Sequence, residues 1–114
     1  MHATCEETLE TLLPALLRRN PGAIAAGAVV QFIVPDKKTC RYFYTFERDD
    51  VVVGKGVSDK VDLTLSLVSE DLERFLDSTL DVDHALRTQR MKVMGDASLL
   101  LGLAASLAGT GRAS

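Results

Sequence analysis

The residues best equipped for chemistry are few and poorly grouped. His84 is the one imidazole outside the extreme N-terminus, and a hydrolytic reading needs it near a serine and a carboxylate such as Ser78 and Asp81. No nucleophile motif surrounds that trio, so the spacing predicts a solvated helix residue rather than a general base. Cys5 and Cys40 lack metal-ligand spacing and are too few for a disulfide framework. Asp49, Asp50, Asp59 and Asp62 lack the spacing of a calcium loop and read as solvated turns. Gly54 and Gly56 flank Lys55, but at a strand end with no phosphate-binding loop behind it. Neither catalysis, nor a cofactor, nor a metal finds a foothold in these residues.

Apolar and amphipathic side chains remain. Tyr42 and Tyr44 share one face of a strand, where a tyrosine either packs with a wet tip or offers its hydroxyl to a ligand head group. Met91 and Met94 carry unbranched thioethers that suit a pocket for varied apolar shapes, or simply fill a core. The segment Arg90 to Leu107, RMKVMGDASLLLGLAASL, runs from a short strand through a Gly-Asp turn into a helix with leucine or alanine nearly all around its axis. Exposing its leucines would cost roughly 1.5–3 kcal/mol each, so protein, a partner or an apolar ligand is expected to cover it.

These residues must be positioned by one small domain. The chain has 114 residues, 46% of them hydrophobic and 25% charged, and a formal charge of -3, values ordinary for a single globular unit spanning residues 1–114. The acidic balance and the scatter of Arg18, Arg19, Lys37, Lys38, Arg41, Lys55 and Lys60 among acids argue against a nucleic-acid partner. The N-terminus has no basic and apolar leader pattern, and residues 97–108 fall short of the roughly 20 needed to span a bilayer, so the expected location is cytoplasmic.

Thr4 and Glu7 have capping-box spacing, and Leu9, Leu12, Leu13, Leu16 and Leu17 mark one face of an N-terminal amphipathic helix over residues 1–20. Pro14 inside it predicts a kink or a separate first segment. The leucine face is expected to pack on the domain. Transient membrane contact is a minor alternative, because Glu6, Glu7 and Glu10 would be repelled by anionic lipid. Strands are expected at about residues 28–34, 39–47 and 51–56 as a meander, with Cys40, Tyr42, Tyr44 and Phe46 on the core face. Val61, Leu63, Leu65 and Leu67 alternate with polar residues in a fourth strand. Ser69 is expected to cap a helix with Leu72, Phe75 and Leu76 on its apolar face, and a short helix follows near residues 83–87. A fifth strand ends at Gly95, Asp96 caps the last helix, and residues 109–114 form a small-residue tail. The fold class is α+β: a five-stranded sheet, the meander plus two further strands, with helices covering one face.

The aromatic meander, VDLTLSLVSEDLERFL at Val61 to Leu76, LDVDHAL at Leu80 to Leu86 and MKVMGDASLLLGLAASL at Met91 to Leu107 together resemble the sterol carrier protein type 2 family. The resemblance covers about Pro21 to Leu107. It implies an apolar cavity between sheet and helices that takes sterols, fatty acyl chains or similar lipids, with no catalytic residues and no cofactor. Three positions depart from the family pattern: Ser78 and Gln89, where glycine is usual, and Val82, where proline is usual. On this basis the expected ligand-lining residues are Phe32, Tyr42, Tyr44, Leu65, Phe75, Leu76, Met91, Leu99, Leu103 and Leu107. The expected function is non-catalytic binding or carriage of a hydrophobic small molecule or lipid. The alternative is a protein-protein interaction module, such as a homodimer, that buries the apolar C-terminal helix without a lipid.

Overall fold

The computed structural model describes residues 5–19, 24–36, 40–48, 50–76 and 80–103. Thr4, Ser78 and Leu107, singled out above, lie outside them, as does the tail. Five strands form one sheet: β1 Val29–Ile33, β2 Arg41–Phe46, β3 Val51–Lys55, β4 Leu63–Leu67 and β5 Met91–Gly95. Their order is β3-β2-β1-β4-β5. The meander is antiparallel, β5 runs antiparallel to β4, and β1 and β4 are parallel at the centre. A parallel pair cannot be closed by a hairpin, so the meander intervenes between β1 and β4 and places β4 on the other side of β1.

Alternation along each strand sorts the side chains. One row on the inner face runs Tyr42, Phe32, Leu65, Val93 across four strands, and the next runs Val53, Tyr44, Val30, Leu63. Phe43, Gln31 and Thr64 occupy the outer face between these rows. Gln31 is nevertheless buried, because the loop after β3 folds over it: its amide donates to the carbonyls of Tyr42 and Gly56 and accepts from the Ser58 N–H. Beside it the Phe43 ring lies directly over Gly54, where a Cβ would stand 2.2 Å from a ring carbon. Lys55 between the two glycines belongs to a strand end and pairs with Glu6 at 3.4 Å.

The N-terminal helix breaks into three pieces, α1 Cys5–Glu7, a π-helical turn Thr8–Leu12, and α2 Leu13–Arg18. Pro14 supplies the reason. The Leu13 N–H bonds to the Thr8 carbonyl, five residues back. The next donor in that register would come from residue 14, which has no N–H, and the Leu9 carbonyl instead accepts from the Tyr44 hydroxyl. Leu9, Leu13 and Leu17 are buried in the core, whereas Leu12 is 47% exposed. The π turn rotates Leu12 away from the face that a regular 3.6-residue period assigned to it. The helix runs antiparallel to β3, with Arg18 bonded to Asp50 and to the Val51 carbonyl at 2.7 Å.

α3 Ser69–Leu76 is capped from outside its own sequence. Asp36, in the loop after β1, accepts from the Ser69 N–H at 2.9 Å and from its hydroxyl at 2.7 Å, so Ser69 lies inside the helix rather than capping it. Asp81 caps α4 Val82–Arg87 through the His84 N–H. α4 ends with Thr88, Gln89 and Arg90: the Gln89 N–H reaches the Leu86 carbonyl and the Arg90 N–H the Ala85 carbonyl, with Gln89 left-handed at φ 62°. This is a Schellman turn whose C′ residue is a glutamine. It delivers Arg90 to the buried carboxylate of Asp71 in a two-point contact at 2.8 and 3.2 Å, tying α3 to the start of β5. Asp96 then accepts from the Ser98 N–H at the head of a helical segment, residues 98–103.

Two sequence readings need correction here. Asp50 and Asp62 are not merely solvated turn residues: Asp50 holds Arg18, and the Asp62 carboxylate accepts from the Val29 N–H at 2.8 Å, joining β1 to the start of β4. Cys40, fully buried before β2, is disulfide-bonded, a cross-link that the sequence reading of two cysteines as too few for a disulfide framework did not anticipate.

Candidate functional site

The candidate site is the apolar layer between the inner sheet face and the helices. Its floor is the row Tyr42, Phe32, Leu65 and Val93, flanked by Tyr44 and by Met91 opposite Leu67. Phe32 sits at the centre because β1 is the middle strand. The Tyr44 ring meets it almost perpendicularly, with centroids 5.5 Å apart, and Phe75 of α3 lies over it at 6.4 Å. The three-residue step from Leu72 to Phe75 and then Leu76 puts all three on the buried face of α3. From the other end, Leu100 and Leu103 of the segment 98–103 join the same cluster, with Leu99 partly buried against it.

Of the residues expected to line a ligand, Phe32, Tyr42, Tyr44, Leu65, Phe75, Leu76, Met91 and Leu103 are therefore buried in one cluster, and Leu99 borders it. Leu107 lies outside the described residues. Sequence reasoning omitted Val30, Leu63 and Val93, which occupy the same two rows of the floor. Strand alternation already carried that signal, since Leu63 shares a face with Leu65. It also omitted Leu100, which is buried where Leu99 is only partly so. Met94 departs from the pocket reading, as it is paired with Thr64 on the outer face and 71% exposed. Leu101 is 74% exposed, so at this position the cover expected for the last helix is not supplied by the described residues of the chain itself.

The polar atoms of the layer are tied to the N-terminal helix. The Tyr44 hydroxyl donates to the Leu9 carbonyl, and the Tyr42 hydroxyl donates to the Glu10 carboxylate at 3.0 Å. Burial, then that hydrogen bond and the charges of Glu10 and Glu6, push the Tyr42 phenol up to about 12. Burial raises the Tyr44 phenol as well. Both hydroxyls are neutral donors at any ordinary pH. His84 is exposed on α4, apart from this layer. No group of histidine, cysteine and acidic side chains suited to a metal occurs among the described residues. No helix there is long and apolar enough to cross a membrane.

The SCP-2 sterol transfer family matches residues 10–108 of the sequence. No curated protein matches it. Solved structures share its fold. A ubiquinone synthesis protein, UbiJ-SCP2, superposes with a TM-score of 0.71 at 19% identity, over 96% of this chain and 90% of that one. The sterol carrier protein 2 of Aedes aegypti, in complex with palmitate, gives 0.66 at 16% identity, over 95% and 97%. The sec-alkylsulfatase Pisa1 of a Pseudomonas gives 0.76 at 20% identity over 90% of this chain but only 16% of the enzyme, so there the fold is one part of a larger protein.

Proposed function

This chain belongs to the SCP-2 sterol transfer family, and from that premise we propose that it binds a hydrophobic small molecule, a fatty acyl chain or a polycyclic lipid, between its sheet and its helices without catalysing a reaction on it. Lipid binding or transfer is the general function of the family. The observation that carries the reading for this chain is the continuous apolar cluster around Phe32, which Phe75 of α3 meets and to which Leu100 and Leu103 also belong. Its hydrogen-bonding side chains are sparse, which favours loose selection by burial over strict recognition. Removing about 300 Å² of ligand surface from water at about 25 cal/mol per Å² yields roughly 7 kcal/mol before association costs, enough for binding near the micromolar range.

Titration of lipid-stripped protein with a fluorescent fatty acid and a fluorescent sterol tests this. A saturable signal with at least one probe, and co-purified lipid in native mass spectra of the fresh protein, are the expected results. A folded protein that saturates with neither overturns the reading. The exposed Leu101 on an otherwise apolar helix supports a second reading, a module that pairs with another copy or another subunit. A ligand-free dimer in the same spectra would favour it.

A further inference from the structure

The buried polar side chains differ in how firmly their partners are held. Gln31 is bonded to strand and loop backbone, and Asp71 is gripped at two points by Arg90. Tyr44 donates to a carbonyl that can be satisfied in another way. In the π turn the Leu13 N–H serves Thr8, and Pro14 leaves Leu9 without a main-chain donor. If the Leu13 N–H moves one acceptor along, from the Thr8 to the Leu9 carbonyl, that stretch takes α register and Leu9 no longer needs Tyr44. The hydroxyl is then a buried donor without an acceptor, which is costly unless an incoming molecule supplies one.

Tyr44 is well placed to receive such a molecule. Its ring is fixed edge-to-face on Phe32 at the centre of the floor, and it is fully buried. The neighbouring hydroxyl, that of Tyr42, is already committed to the Glu10 carboxylate, whose negative charge disfavours an anionic group nearby.

We propose that Tyr44 is a specificity-determining residue: its hydroxyl passes from the Leu9 carbonyl to a neutral carbonyl oxygen on an otherwise apolar ligand, as the turn at residues 8–12 shifts from π to α register. The inference rests on the lipid-binding reading above and adds which polar group the ligand carries and where it is held. A ketone, ester or quinone oxygen fits this chemistry. A bare hydrocarbon leaves the hydroxyl on Leu9 and gains only burial.

The experiment uses the full chain and two pyrene-labelled probes of equal chain length, a fatty acid methyl ester and an alkylpyrene. The native protein is expected to prefer the ester by roughly 3- to 10-fold, the range of one hydrogen bond, and Tyr44→Phe to abolish that preference while still binding the alkylpyrene. Equal affinities in the native protein, or a preference that survives in Tyr44→Phe, would overturn the proposal. If Tyr44→Phe does not fold, the native protein alone decides. The through-hydrogen-bond coupling of the Leu13 amide nitrogen is expected to move from the Thr8 to the Leu9 carbonyl carbon when the ester binds, and coupling that stays on Thr8 rules the handover out. If neither probe binds to folded native protein, the lipid-binding reading fails and this inference with it.

Discussion

At Gly95 the chain has no room for a side chain. The residue ends β5 with φ 105°, and a Cβ there would stand 2.3 Å from the Asp62 carbonyl oxygen, an atom that also accepts from the Asp96 N–H. Neither backbone can retreat without breaking the β4 and β5 ladder that carries Leu63, Leu65 and Met91. Gly95→Ala is therefore expected to lose about 2–4 kcal/mol in a denaturant melt, from the strained backbone and the clash together. A loss below about 1 kcal/mol would mean that this close approach does not exist. The tyrosines allow a second measurement, since Tyr42 and Tyr44 are the only two in the chain. Both phenols are raised in the folded state, so the folded protein keeps protons that the unfolded chain releases near pH 10. Their contribution to stability is whole below about pH 10 and is lost as pH rises through the folded value of about 12 for Tyr42. Tyrosinate absorbance is expected to stay low at pH 10 and to appear only at higher pH or with loss of the native circular dichroism. A midpoint near 10 in a still folded protein would show that the two hydroxyls are open to water.

Among the elements, α4 shows what the departures from the family pattern do. Val82 is its first helical residue, where proline is well tolerated because the N–H has no helical partner and φ is already suitable. Gln89 is its left-handed C′ residue, where glycine avoids a Cβ penalty. The proline and glycine usual in the family at these two positions are thus the residues that start and stop this helix best, and the chain forms it without them. The double variant Val82→Pro, Gln89→Gly is expected to gain about 1 kcal/mol and to raise Tm by several degrees. Because Val82 also packs against the core, the Gln89→Gly single variant is the control, and an unchanged or lower Tm in it would show that Gln89 carries no left-handed strain. The N-terminal helix is the less regular element, joined to β3 by the exposed pairs Arg18 to Asp50 and Lys55 to Glu6, which contribute little, and to the core by Leu9, Leu13 and Leu17.

For the whole molecule the question is whether the chain from Ala97 onward completes the core or decorates it. Leu100 and Leu103 are buried with the inner face of the sheet, and β5, from which this segment leaves, is an edge strand. Deleting residues 97–114 is expected to leave a product that keeps much of its secondary structure but aggregates or melts without a sharp transition, because the exposed inner face loses its cover. A truncated chain that remains monomeric and unfolds cooperatively would show that the segment is dispensable.

The sequence alone determined what depends on neighbours a few residues away. Period-two alternation placed Leu63, Leu65 and Leu67 on one face, and Tyr42, Tyr44 and Phe46 on another strand's core face. Asp96 and Gly95 announced the start of the last helical segment, and Pro14 announced the break in the first. Tertiary structure decided whatever needs partners distant in sequence. The central pairing of β1 with β4, the cap of α3 by Asp36, the clasp of Asp71 by Arg90 and the outward turn of Leu12 each depend on groups brought together only by the complete fold. The layer around Phe32 is the clearest instance. Its residues were recognisable one by one as apolar, but hydrophobicity has no direction, and only the fold shows that Tyr44 and Phe75 meet the Phe32 ring and that Leu103 joins the same buried cluster.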